Sequence, residues 1–198
     1  MKVGFDFDNT LINYYGVFFE VAYSKGLIPL NIKKDKNSVK DYLNKNSQGE
    51  FFTEIQGLVY GKEIFRSSPS KNILIGLNDL LKKENKANLF IVSHKTKYPF
   101  IGEKIDLREA ANRWIKKNLK LNEKSIFPEK NIFYESTIEE KIERINNLKC
   151  DYYFDDLPII IENLPSHIKG FLYDPLNKYR EINLKKISDW KLICNYLF

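Results

Sequence analysis

Five short runs rich in β-branched and aromatic residues recur along this chain: residues 2 to 7 (KVGFDF), 88 to 92 (NLFIV), 131 to 134 (NIFY), 151 to 155 (DYYFD) and 169 to 173 (KGFLY). Each is separated from the next by enough chain for a helix. Apolar residues spaced by three and four predict helices over 72 to 84, 106 to 119 and 138 to 148, with Asp106 and Thr137 as N-caps of the last two. Strands that alternate with helices pair in parallel through right-handed crossovers. The expected class is therefore α/β, a three-layer, Rossmann-like parallel sheet between helices. Ligands of such sheets bind beyond the carboxyl ends of the strands.

The gap between the first two runs is too long for one crossover. Residues 13 to 71 hold two helical stretches, near 14 to 25 and 50 to 66, joined by a polar segment, 31 to 49, rich in Lys, Asn and Ser; Pro69 follows. This reads as a small helical cap inserted after the first strand, with 1 to 12 and 72 to 198 forming the core. The first helix carries Tyr15, Val17, Phe18, Phe19 and Val21, apolar nearly all round, and equally suits a helix that thickens the core. No internal repeat is evident.

A chain of 198 residues, 43% hydrophobic, can bury one core with room for such an insertion. It has no apolar stretch of the roughly 20 residues needed to cross a bilayer, and its first residues lack the pattern of a signal peptide. Cys150 and Cys194 make neither a metal spacing nor a disulfide framework. A cytoplasmic protein with no membrane partner is the expectation. The net charge of +6 comes from 27 Lys against 5 Arg and is diffuse. Its densest cluster, Lys33, Lys34 and Lys36, is short enough to be a solvated loop. A bias that also includes 20 Asn and 23 Ile suits an A+T-rich genome better than a nucleic-acid stripe.

The chemistry collects at the ends of the runs. The first ends in Asp6 and Asp8, followed by Asn9 and Thr10; the second ends in Ser93, His94 and Lys95; the fourth ends in Asp155 and Asp156. Lys141 falls in the first turn of the helix before that fourth run. Carboxylates at i and i+2, where a buried strand empties into a loop, can share a divalent cation and a phosphate. Three parallel strands would thus deliver carboxylates, a hydroxyl and cations to one edge.

This constellation resembles the haloacid dehalogenase (HAD) superfamily of phosphohydrolases. In that pattern the first strand ends in Asp-x-Asp-x-Thr, matched by Asp6, Asp8 and Thr10. The second ends in Ser or Thr, matched by Ser93; a Lys near a later helix start is matched by Lys141, and the acidic end of the fourth strand by Asp155 and Asp156. The resemblance covers residues 2 to 11 and about 72 to 174. It implies Asp6 as nucleophile, forming an aspartyl-phosphate, and Asp8 as general acid and base. It also implies Mg2+ held by the Asp6 side chain, the Asp8 backbone carbonyl and Asp155. Asp156 would orient a metal-bound water or start the next turn. Lys141 and the Ser93 hydroxyl would hold phosphoryl oxygens.

Lys149 competes with Lys141 but falls one residue before Cys150, away from the edge that carries the carboxylates. His94 and Lys95 are candidate substrate contacts, and the long segment 95 to 106 (KTKYPFIGEKID) is a candidate selectivity loop. Trp114 and Trp190 read as core or docking residues rather than ligand platforms, His167 as a surface loop residue. Asp8 argues against dehalogenation, because the family's dehalogenases lack a carboxylate there. The expected activity is that of an Mg2+-dependent phosphatase on a small phosphorylated metabolite, such as a sugar phosphate or nucleotide. The alternatives are a phosphatase of nucleic-acid ends and a non-catalytic binding module on the same scaffold.

Overall fold

The β-rich runs become strands of one sheet. The computed structural model describes residues 1–198 and contains β1 (Lys2–Phe5), β2 (Asn88–His94), β3 (Ile132–Glu135), β4 (Tyr152–Asp155), β5 (Lys169–Tyr173) and β6 (Lys186–Ile187). They are ordered β6-β5-β4-β1-β2-β3, and every neighbouring pair is parallel. The sixth strand was not expected; two residues at an edge are too few for a sequence period to mark. The helices are α1 (Val17–Ser24), α2 (Lys36–Lys45), α3 (Gly49–Tyr60), α4 (Ile73–Lys83), α5 (Leu107–Asn118), α6 (Ile138–Asn147), α7 (Pro158–Glu162) and α8 (Ile193–Leu197). None is long and apolar enough to cross a membrane.

Contacts divide the chain into two compact units: Met1–Ile12, Pro69–Lys95 and Lys116–Phe198 form the first, Asn13–Ser68 and Thr96–Ile115 the second. In the first unit strand parity sorts the core into two layers. Phe5, Phe154 and Phe171 are register partners on β1, β4 and β5 and stack at 5.3 and 5.1 Å between ring centroids. Trp190, fully buried, closes this layer at 5.4 Å from Phe154. Helix α4 packs here so closely that a Cβ on Gly76 would overlap the Trp190 carbonyl. On the other face Tyr153, Val92 and Leu172 pack with Ile145 of α6 and Ile160 and Ile161 of α7.

The second unit contains α1, α2, α3 and most of α5. Helix α2 lies inside the segment expected to be a polar joiner. Its apolar residues are few, but Val39 and Leu43, four apart, are fully buried, and Asp35 caps it by accepting from Ser38 N at 3.0 Å. Lys36 adds to the packing, with its ammonium 5.3 Å from the Phe18 ring and donating to Tyr60 Oη at 2.8 Å. Residues 96 to 106 group with this unit rather than with the sheet: Gly57 backs onto Pro99 and Gly61 onto Ile105. Trp114 on α5 is fully buried, its Nε1 directed to Ser67 O at 3.4 Å.

Candidate active site at the strand ends

The alternation that buries Phe5 and Phe154 on one face sends the next residues to the other. Asp6 and Asp155 each follow one of those phenylalanines, and Asp6 N–H donates to Phe154 O at 2.8 Å, so the ladder still holds where the carboxylates emerge. Helix α6 covers this face. It starts at a capping box: Glu140 N–H donates to Thr137 Oγ1 at 3.1 Å, and the Glu140 carboxylate accepts from Thr137 N at 3.2 Å. One turn in, Lys141 Nζ lies 2.6 Å from Asp6 Oδ1 and 2.7 Å from Asp155 Oδ2. All three residues are buried. The other Asp155 oxygen accepts from Leu157 N at 2.9 Å. Lys149 is exposed in a left-handed turn.

Asp156 joins the group: carboxylate oxygens of Asp6, Asp155 and Asp156 lie within 4.8 Å of one another. One ammonium thus faces three carboxylates, and the negative excess bears on Asp6 and Asp156. Burial, the largest influence, pushes the Asp6 carboxyl up from 3.8 to about 7; Lys141 opposes this, and the charges of Asp155 and Asp8 add to it. Asp156 is pushed well above the carboxylate range, again by burial first and then by Asp155 and Asp6. For Lys141, burial alone would favour the neutral amine, yet Asp155 and Asp6 outweigh it and its pKa rises. A donor set of three carboxylates without sulfur or imidazole fits a hard divalent cation of the Mg2+ type.

Asp8 stands apart from this cluster. Its Oδ2 lies 2.7 Å from Lys95 Nζ. The Ser93 hydroxyl is buried without a hydrogen-bond partner, as is that of Thr10. An unsatisfied buried hydroxyl beside a cationic and anionic cluster is a costly feature unless a ligand uses it. His94 is exposed, and its Nε2 lies 2.9 Å from Ser136 O, in the turn before α6. Trp190 lies in the core of the sheet unit and His167 on the surface.

The pairing of Lys95 with Asp8 was not expected from the sequence. Nothing in the sequence marks it: β1 and β2 become neighbours only in the sheet, where Phe5 pairs with Ile91, and Asp8 lies in the turn beyond β1. Asp174, buried one residue beyond β5, also went unread. Its two oxygens accept the amides of Lys178 and Tyr179 at 2.8 and 2.9 Å, which makes it a loop staple.

No protein-family model matches the chain, and neither does any curated protein. Solved structures do match. A HAD-superfamily hydrolase of subfamily IA from Geobacter sulfurreducens is 10% identical with a TM-score of 0.59, over 100% of this chain and 96% of that one. A HAD-superfamily hydrolase from Ehrlichia chaffeensis is 17% identical with a TM-score of 0.55, over 99% and 95%. A phosphoserine phosphohydrolase-like protein from Francisella tularensis is 15% identical with a TM-score of 0.51, over 100% of both chains. The fold is that of the HAD-superfamily hydrolases. On this HAD fold the three-carboxylate cluster with Lys141 and the Asp8–Lys95 pair occupy the carboxyl ends of β1, β2 and β4, the edge where ligands of parallel sheets bind.

Proposed function

We propose that this protein is a HAD-type phosphatase that hydrolyses a small phosphomonoester with Mg2+. The observation that carries the reading is the buried Lys141 ammonium shared between Asp6 and Asp155, with Asp156 completing a cluster of excess negative charge. Hydrolases among the structural neighbours, one of them phosphoserine phosphohydrolase-like, support a phosphate ester as the substrate class.

Asp6, Asp155 and Asp156 would hold the cation, which supplies counter-charge between an anionic nucleophile and an anionic phosphate. An Asp6 oxygen attacks phosphorus, the bond to the leaving oxygen breaks, and its electron pair takes a proton from the Asp8 carboxyl to release the alcohol. Water then attacks the aspartyl-phosphate, giving a proton to the Asp8 carboxylate as the bond to Asp6 breaks and phosphate departs. Lys141 and the unpartnered Ser93 hydroxyl are the donors for the phosphoryl oxygens.

A panel of sugar phosphates, nucleotides and phosphoamino acids, assayed with Mg2+ and with EDTA, tests this reading. Metal-dependent phosphate release from at least one class is expected. Absence of turnover across the panel, oligonucleotide 3′- and 5′-phosphates included, would sink it and favour a non-catalytic module.

A further inference from the structure

Lys95 is 4% exposed, and its ammonium has an anion 2.7 Å away in Asp8 Oδ2. The Phe7 ring lies alongside, 5.6 Å from Nζ to its centroid. The backbone is fixed at both residues. Lys95 N–H donates to Glu135 O at 2.9 Å, extending the β2–β3 ladder, and the amides of Leu11 and Ile12 fold back onto Phe7 O at 3.0 and 3.1 Å around Asp8. A desolvated ammonium is costly without its anion, so releasing Asp8 to meet a ligand would cost Lys95 its charge partner. The Asp8 side chain is the more open of the two, 16% exposed against 2%.

We propose that Lys95 is a positioning residue: it holds Oδ2 of Asp8 so that Oδ1 exchanges the proton with the leaving-group oxygen, and it is not a substrate contact. This rests on the phosphatase reading, and it accounts for a lysine buried next to the acid/base aspartate. Holding one oxygen of a carboxylate fixes the direction of the other, and a displacement of about 1 Å at such a group costs on the order of 100-fold in rate.

Two substrates of similar shape separate the roles. The nitrophenolate of p-nitrophenyl phosphate departs without a proton, whereas the alkoxide of benzyl phosphate needs one. The constant kcat/KM reports the step in which that bond breaks. With Mg2+ present, Lys95→Met should lower kcat/KM about 100-fold on benzyl phosphate and less than about 5-fold on p-nitrophenyl phosphate. Asp8→Asn should show the same selectivity. Lys95→Arg, which keeps the charge with a different donor geometry, should fall between wild type and Lys95→Met, and it carries the test alone if Lys95→Met does not fold. Equal losses on both substrates would overturn the positioning role in favour of a structural one. A raised KM with kcat intact would overturn it in favour of substrate contact. Wild-type protein inactive on both would instead overturn the phosphatase reading, and the inference with it.

Discussion

Lys141 and Asp6 stand 135 residues apart in the chain and 2.6 Å apart in the fold. One ammonium on the first turn of α6 thereby touches the first strand, and through Asp155 the fourth. The site is thus charged in a lopsided way, with more buried carboxylate than cation, and the following outcomes derive from that imbalance and from the packing that holds it.

Asp6→Asn removes the nucleophile while keeping its shape. Turnover should fall at least about 10³-fold, with the far-UV CD spectrum unchanged. Because Asp6 is a buried carboxylate, the Mg2+-free variant should melt no lower than wild type at pH 8. Retained activity in the purified variant would remove Asp6 from the mechanism.

Lys141→Met leaves Asp6 and Asp155 without their shared cation. Removing one partner of a buried pair costs about 3 to 5 kcal/mol, and urea unfolding at pH 8 without metal should show a loss of that size. At pH 5.5 the loss should shrink, because Asp6 can take up a proton instead. An identical loss at both pH values would contradict the assigned charge balance.

Metal and proton should compete for Asp6. Its carboxyl rises from 3.8 to about 7 on folding, so between those values the folded protein binds more protons than the unfolded one. Stability in Mg2+-free buffer therefore contains a contribution that is full below pH 3.8 and is lost as pH rises through 7. Magnesium at roughly 100 times its Kd should raise Tm by about 5 °C or more at pH 8 and by clearly less at pH 5.5. Calorimetry at the two pH values reads the difference directly, and an equal rise at both would count against carboxylate ligation.

Gly76→Ala runs against the usual helix preference. In an open helix the change would stabilise by about 1 kcal/mol. Here the new Cβ would overlap the backbone carbonyl of Trp190, which cannot rotate away as a side chain could. A net destabilisation of about 1 to 3 kcal/mol is expected, read by denaturant midpoint. Unchanged stability would mean that the Trp190 segment gives way easily.

Much of the fold was legible because its signals are local. The period of α6 and its Thr137 cap both stand in the sequence, and the helix spans Ile138–Asn147. Five strands were legible as β-rich runs. Helix α2 was not, because only Val39 and Leu43 mark its buried side amid polar residues, and its stability comes from the α1 and α3 surfaces it packs on. The membership of residues 96 to 106 was equally hidden, since Pro99 and Ile105 declare themselves only where Gly57 and Gly61 make room for them.

By itself the sequence determined the class of fold and which residue types reach the strand ends, because strand parity and helix period are properties of neighbours along the chain. Only the tertiary structure decided the partnerships. That Lys141 bridges Asp6 and Asp155, and that Lys95 turns to Asp8, depends on sheet order and on burial. A desolvated charge takes the nearest opposite charge, and which one is nearest is settled in three dimensions.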